Sequence, residues 1–217
     1  MAERLTTPDE RASHWNEVHR GADERSHSWY QSQHEMTIQL LDDLGVSSTA
    51  AFIDVGGGES NLVDQLLLRG FSDVTVLDVS SEAIGTARRR VGADPRVTWL
   101  VDDLLTWKGA RRYDVWHDRA VFHFLANDEI DVYRSLLDRV LAPRGAVILA
   151  TFALDGPGYC SGLAVQRYGP TELMGVLGDD FELVASSREV HATPSGAEQT
   201  FTWIAARRSD RSPPFGT

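Results

Sequence analysis

The sequence contains little cysteine and lacks any long hydrophobic run. Cys160 is the single cysteine, so no disulfide can form within the chain, and no Cys/His spacing typical of a structural zinc site occurs. No stretch of about 18 consecutive apolar residues is present, and the amino-terminal residues are charged. We therefore expect a cytoplasmic protein with no membrane-spanning segment and no metal site.

Positive charge is also scarce. The chain has 21 basic and 32 acidic residues, which gives a formal net charge of −11, and Lys108 is its only lysine. This balance argues against broad binding to the phosphate backbone of nucleic acids or to anionic membranes. The negative charge permits a small molecule or a basic protein segment as the partner. The sequence does not indicate the oligomeric state.

The length of 217 residues suits one domain with a substantial core. We expect a single domain over residues 1–208, made of a helical cap at 1–48 and a core at 49–208. The polar segment 209–217 is expected to be a disordered tail.

Apolar runs alternate with amphipathic segments along the core. Strands are predicted at about 51–55, 74–78, 96–101, 113–117, 146–152, 181–191 and 199–207, and helices at about 36–44, 61–69, 82–91, 128–141 and 170–177. The last two strands flank a Pro-Ser-Gly loop, which is typical of an antiparallel pair. Strands separated by single helices predict a doubly wound α/β fold with a mostly parallel sheet.

The most informative segment is a glycine turn at residues 56–58. It follows an apolar strand and leads into a helix, where backbone without Cβ atoms can approach a ligand closely. Asp78 ends the next strand twenty positions beyond Gly58, a spacing that suits an acid bound to ribose hydroxyls. Because ligands in such sheets bind at the carboxyl ends of the strands, this pattern indicates a nucleotide-type cofactor site.

Two cofactors fit a glycine turn followed by an acidic strand end: a nicotinamide dinucleotide and S-adenosylmethionine. The third glycine of the dinucleotide pattern is missing, since the turn continues as Glu59-Ser60. Some fifty residues precede the first strand, and the chain ends in a predicted hairpin. These features favour S-adenosylmethionine over an NAD-dependent oxidoreductase, and a non-catalytic cofactor-binding protein is a further alternative.

Four segments together resemble class I S-adenosylmethionine-dependent methyltransferases. They are 52–60, 76–80, 101–104 and 113–119, and the resemblance covers roughly residues 12–207. Ser60 after the glycine turn is similar to the branch of protein-lysine methyltransferases that act on citrate synthase and elongation factor, whereas Asp118-Arg119 and a later Gly-Pro segment are similar to thiopurine-type enzymes. The resemblance implies a Rossmann-like sheet of seven strands whose carboxyl-terminal strand is antiparallel.

The resemblance also implies cofactor contacts residue by residue. The methionine part is expected beside the backbone of Gly56, Gly57 and Gly58, with Asp54 and Glu59 near its charged ends. The ribose is expected near Asp78 and Val79, and the adenine near Asp103 and Leu104, with Asp102 as the less favoured acid. Two aromatic residues before the first strand, Trp29 and Tyr30, are expected either to cap the cofactor or to pack the amino-terminal helix.

Methyl transfer from a sulfonium is an in-line displacement, so the protein mainly aligns the acceptor and, where needed, removes a proton. Asp118 and His123 are the candidate catalytic residues because they follow the fourth strand, where the chain turns over the cofactor. The alternative for Asp118 is pairing with Arg119 or capping the turn, and the alternative for either His117 or His123 is a structural role.

Candidate substrate contacts come from three places. They are Trp15 in the aromatic amino-terminal region, Arg119 beside Asp118, and Tyr159, Arg167 and Tyr168 in the glycine-rich loop 155–168. Because this loop and the amino-terminal region appear on both sides of the cofactor motifs, we expect a covered pocket and an acceptor that is a heteroatom of a small molecule. A protein lysine side chain is the alternative acceptor.

Overall fold

The computed structural model describes residues 4–21 and 23–210, and residues 211–217 of the predicted tail lie outside the described residues. The described helices are α1 (Pro8–His19), α2 (Glu35–Asp43), α3 (Leu62–Leu68), α4 (Ser81–Val91), α5 (Asn127–Val140) and α6 (Pro170–Leu177). The described strands are β1 (Phe52–Val55), β2 (Val74–Asp78), β3 (Val97–Val101), β4 (Tyr113–Arg119), β5 (Leu141–Phe152), β6 (Tyr159–Cys160), β7 (Leu163–Ala164), β8 (Phe181–Ala192) and β9 (Glu198–Arg208). None of the helices in these two ranges is long and apolar enough to cross a membrane.

Seven strands form one twisted sheet in the order β3-β2-β1-β4-β5-β9-β8. Strands β1 to β5 are parallel, and β9 runs antiparallel to both of its neighbours, β5 and β8. The predicted doubly wound fold with one antiparallel carboxyl-terminal strand is therefore confirmed. The short strands β6 and β7 form a separate hairpin inside the loop that follows β5.

Apolar side chains cover both faces of the sheet because strand residues alternate between the faces. On one face, Ile53 and Trp116 pack with Tyr133 and Leu137 of α5. On the other face, Phe52 packs with α2 and α3. The sheet centre is thus buried on both sides, as expected of parallel strands joined by helices.

The strand order reverses between β1 and β4. The chain passes from β1 outward through β2 to β3 and then returns to place β4 on the other side of β1. Such a reversal separates the loops at the carboxyl ends of the two strands and leaves a crevice between them. The glycine turn follows β1 at this crevice, and Arg119 ends β4 there.

Helix α1 is an element that the sequence patterning did not predict. Its first turn is fixed by a capping box, in which the Thr7 hydroxyl accepts from the Glu10 N–H at 3.2 Å and the Glu10 carboxylate accepts from the Thr7 N–H at 2.9 Å. Because its surface is mostly polar, the helix has no apolar periodicity by which it could be predicted. It places Arg11, Trp15 and His19 at the crevice.

Candidate cofactor and acceptor site

A cavity opens in the crevice at the carboxyl ends of β1, β2 and β4. Its floor is the glycine turn, and its roof comes from α1 and the segment before α2. The polar and aromatic residues that line it include Arg11, Trp15, Trp29, Tyr30, His34, Asp54, Glu59, Ser60, Asn61, Asp78, Asp102, Asp103, His117, Arg119, Phe124 and Cys160. The structure therefore brings together all the residues expected to bind the cofactor, because Gly56, Gly57, Gly58, Val79 and Leu104 line the same cavity.

The glycine turn has no room for side chains. Gly56 and Gly58 have φ values of +66° and +48°, in the left-handed region that glycine adopts without strain. A Cβ atom on Gly56 would overlap with the side chain of Val121, and one on Gly57 would lie 2.5 Å from Oδ2 of Asp54. The backbone of the turn is therefore exposed to the cavity, where a ligand can approach it closely.

Asp54 is held in place by a buried chain of hydrogen bonds. Its Oδ1 lies 2.7 Å from Nδ1 of His117, and Nε2 of His117 lies 3.0 Å from the Thr37 hydroxyl. In the tautomer with Nδ1–H, His117 donates to the Asp54 carboxylate and its Nε2 accepts from the Thr37 hydroxyl. His117 thus positions Asp54. This agrees with the structural role that the sequence analysis gave as the alternative for this histidine.

Asp78 ends β2 beside the glycine turn. Its Oδ1 accepts a hydrogen bond of 2.8 Å from the Ser80 N–H, while Ser80 caps α4 through its hydroxyl. Burial raises the pKa of Asp78 to about 6 in spite of that bond, and the charges of Asp54 and Glu59 act in the same direction. Its Oδ2 lies on the side of Gly58, where it can accept from a ligand hydroxyl.

Asp103 is anchored by a residue that the sequence did not point to. Its Oδ2 accepts from Nε of Arg11 at 2.6 Å, and its Oδ1 accepts from the Leu105 N–H at 2.8 Å. Each oxygen has a further lone pair for a ligand. Asp102 is exposed and caps the Asp103 N–H, so of the two acids Asp103 has the more buried carboxylate.

Aromatic residues of the amino-terminal region form one wall of the cavity. Trp15 meets Trp29 edge-on at 6.1 Å between ring centroids and meets Phe124 at 5.3 Å. Tyr30 lines the cavity beside them. Trp15 and Trp29 therefore pack together, and all three aromatic residues singled out before β1 line the cavity.

Arg119 extends into the cavity from the end of β4. Its Nη1 donates to the Trp29 carbonyl at 3.1 Å, and its guanidinium lies 4.7 Å from the ring centroid of Phe201. Nε and Nη2 are buried and have no hydrogen-bond partner among residues 4–21 and 23–210. Burial lowers the pKa of Arg119. Two donors of a buried cation are thus left for a ligand.

His34, Ser60 and Asn61 add a polar group that sequence reasoning missed. Nε2 of His34 lies 2.7 Å from the Asn61 side chain and 3.2 Å from the Ser60 hydroxyl. Burial lowers the pKa of His34 to about 3, so the ring is neutral at pH 7. Of these three residues, only Ser60 belongs to the motif around the glycine turn.

The expected catalytic residues lie away from the cavity. Asp118 is fully buried against α5, where it accepts from the N–H groups of Val121 and Phe122 at 2.9 and 3.2 Å and from the Tyr133 hydroxyl at 3.0 Å. Burial raises the pKa of Asp118 to about 6. His123 is also fully buried, and burial lowers its pKa to about 3. The geometry gives neither side chain access to a ligand in the cavity, and it favours the alternative that Asp118 caps the turn after β4.

The loop after β5 is placed differently from the expectation as well. Tyr159 is 63% exposed, Arg167 donates to the Gly156 carbonyl at the surface, and Tyr168 packs in the core at 5.3 Å from Phe122. None of the three belongs to the described residues that line the cavity. Cys160 of the same loop does line it.

Comparisons with known proteins agree with this geometry. Residues 52–145 match a protein family described as "Methyltransferase domain". The malonyl-[acyl-carrier protein] O-methyltransferase 2 of Ilyobacter polytropus is 24% identical over 123 residues, which are 54% of this chain and 46% of that protein. The matched part thus spans less than half the length of this curated relative.

Solved structures extend the likeness over the whole chain. A SAM-dependent methyltransferase of Anabaena variabilis superposes with a TM-score of 0.74 at 16% identity, covering 96% of this chain and 98% of that one. The 1,6-didemethyltoxoflavin N1-methyltransferase of Burkholderia thailandensis superposes with a TM-score of 0.72 at 22% identity, covering 97% and 94%. Residues 52–145 thus match a methyltransferase-domain family, and almost the whole chain has the fold of the class I S-adenosylmethionine-dependent methyltransferases.

Proposed function

We propose that the protein transfers the methyl group of S-adenosylmethionine to a heteroatom of a small-molecule acceptor by direct in-line displacement. The observation that carries this proposal is the single cavity in which the glycine turn, Asp78 and Asp103 meet a buried, incompletely bonded Arg119. The first three groups suit an adenosyl cofactor. Arg119 provides recognition for a second, oxygen-bearing molecule.

The cofactor would follow the floor of the cavity. Asp78 would accept from the ribose hydroxyls through its Oδ2, and Asp103 with the backbone of Leu104 would bind the adenine edge. The methionine part would pass the backbone of the glycine turn and Asp54. Trp29 and Tyr30 would cover it, because an aromatic face attracts a sulfonium cation.

The acceptor would lie near Arg119, His34 and Cys160, which line the cavity together. The free Nε and Nη2 donors of Arg119 favour an acceptor that carries a carboxylate or another oxygen anion, since a guanidinium binds such groups through paired hydrogen bonds. Trp15 and Phe124 would provide an apolar wall.

The chemistry would depend on alignment rather than on a dedicated base. Asp118 and His123 are buried away from the cavity, and His34 has a pKa of about 3 and is therefore a weak base. We expect an acceptor atom that already has a free lone pair at neutral pH. Positioning alone can lower the barrier of such a two-reactant step substantially.

The resemblance to protein-lysine methyltransferases suggests a second class of acceptor, a lysine side chain of a protein. The net charge of −11 and the similarity around Ser60 to protein-lysine methyltransferases favour a basic protein segment. The roof over the cavity and the unpaired donors of Arg119 favour a small acid, because a lysine ammonium would be repelled by the guanidinium. A single buried cysteine suits a reducing compartment, so we keep the cytoplasm as the proposed location.

The proposal is tested by binding and then by turnover. Calorimetry should detect binding of S-adenosylhomocysteine and no binding of NAD(H); the reverse result would identify an oxidoreductase-type site. Formation of S-adenosylhomocysteine should then be followed with oxygen and nitrogen acceptors, because the named relatives are an O- and an N-methyltransferase. Transfer to lysine-rich peptides but to none of the small acids would support the protein acceptor instead.

A further inference from the structure

Three buried polar side chains meet beside the glycine turn, and none of them has a role in the cofactor and acceptor contacts proposed above. His19 ends α1, His27 follows a short 3₁₀ turn at Glu24–Ser26, and Glu59 follows Gly58. Their exposed fractions are 8%, 8% and 6%. Two neighbouring segments before the first strand and the turn after it thus place two imidazoles and a carboxylate at one buried point.

The ligand atoms of the three residues converge without satisfying one another. Oε1 of Glu59 lies 3.2 Å from Nδ1 of His19 and 2.9 Å from Nε2 of His27, and all three atoms lie within 4.8 Å of one another. None of them has a hydrogen-bond partner in the described part of the chain, because the angles are wrong even where the distances are short. Buried polar atoms are normally satisfied, so such a group requires an explanation.

We propose that His19, His27 and Glu59 bind a divalent transition-metal ion, for which Zn²⁺ is the best match. Two imidazole nitrogens and one carboxylate oxygen are a known ligand set for zinc. Ligand atoms at 2.0–2.1 Å from a tetrahedral zinc lie about 3.3 Å apart, close to the distances from Glu59 Oε1 to the two histidine nitrogens. A metal also explains the angles, since lone pairs that point at a common ion do not point at one another.

An ion here would connect the amino-terminal region to the cofactor site. His27 stacks on Trp29, with ring centroids 4.5 Å apart and an interplanar angle of 6°, so a metal bound by His27 fixes part of the cavity wall. His19 and Glu59 themselves line the cavity, which leaves that side for a fourth ligand. Sites with three protein ligands typically bind water or substrate in the fourth position.

The test measures metal binding alone and does not depend on methyl transfer. The full-length protein is stripped with a chelator, dialysed and titrated with Zn²⁺ in a calorimeter, and the bound metal is counted by mass spectrometry. We expect one equivalent of zinc. The variants Glu59→Gln and His27→Gln should weaken binding by roughly 100-fold or more, because each removes a direct ligand.

His14→Gln is the matched control. His14 lies on α1, five residues before His19 and outside the cluster, so this variant should retain the affinity of the parent protein. A stripped parent protein that takes up no stoichiometric zinc would overturn the proposal. Equal zinc affinity in the parent and both cluster variants would overturn it too.

A second measurement covers the case in which the cluster variants do not fold. Co²⁺ added to the stripped parent protein should give the intense visible absorption of a four- or five-coordinate ion, and excess Zn²⁺ should abolish it. The weak absorption of octahedral aqueous cobalt would contradict a site of this geometry.

Discussion

Replacement of Asp78 by asparagine isolates the proposed ribose contact. The amide retains the size of the side chain, and its oxygen can still accept from the Ser80 N–H as Oδ1 does now at 2.8 Å. What is lost is the Oδ2 acceptor on the side of Gly58, which becomes an NH₂ donor. The substitution therefore changes one recognition atom and leaves the cap of α4 in place.

The expected loss follows from the charge of the acceptor. A hydrogen bond to a charged group contributes about 1.5–3 kcal/mol, so Asp78→Asn should raise the Kd of S-adenosylhomocysteine roughly 10- to 150-fold. Calorimetry at pH 7.5 measures this directly. Asp73→Asn, which changes the residue just before the same strand, is the control, because Asp73 pairs with Arg111 and does not line the cavity. An Asp78→Asn variant with the Kd of the parent protein would refute the ribose contact.

Four further predictions follow from the same contacts. Burial raises the pKa of Asp78 to about 6, and only the ionised carboxylate accepts well from two hydroxyls. The affinity of the parent protein for S-adenosylhomocysteine should therefore fall about tenfold from pH 7.5 to pH 5, whereas the affinity of Asp78→Asn should not change. Arg119→Gln should raise the KM of an acidic acceptor at least roughly tenfold with little change in cofactor Kd; equal weakening of both would place Arg119 at the cofactor. Gly56→Ala should abolish cofactor binding through its positive φ and the overlap with Val121, whereas Gly175→Ala, which has open space around it, should bind normally. Tyr133→Phe should lower the free energy of unfolding by about 1–3 kcal/mol, since it removes a partner from the buried Asp118 and from Trp116; an unchanged denaturation midpoint would contradict that role.

The fold was largely predictable because its signals are local. The strands β1, β2 and β5 are apolar runs, and the glycine turn, the Ser80 cap and Pro170 mark the ends of elements. The antiparallel pair β8 and β9 was predicted from the loop between them. Helix α1 was missed because its periodicity is polar, although the Thr7 to Glu10 spacing of its capping box is visible in the sequence.

The sequence predicted the candidate site only for residues whose position along the backbone is enough to place them in the cavity. Asp54, Asp78 and Asp103 lie at or just after strand ends, and the structure brings all three into one cavity, as the spacing and the family resemblance predicted. Asp118 was misplaced because residues of a strand alternate between faces: His117 and Arg119 reach the cavity from β4, and Asp118, between them, points towards α5. Strand register, rather than residue type, decides which of these side chains can meet a ligand.

Contacts between distant segments could not be read from the sequence. Arg11 reaches Asp103 across 92 positions, and Glu59 meets two histidines that precede β1 by more than twenty residues. The expectation that no metal binds depended on Cys/His spacing within short segments. The cluster proposed here combines residues from three separate elements, which such spacing does not detect.

The most direct test of the central proposal is transfer itself. Purified protein is incubated with S-adenosylmethionine carrying a labelled methyl group and with a panel of small carboxylates and amines, and label in the acceptor is quantified together with S-adenosylhomocysteine. We predict stoichiometric formation of both products with at least one acceptor and their loss in Gly56→Ala. Binding of NAD(H) without binding of S-adenosylmethionine or S-adenosylhomocysteine would contradict the account.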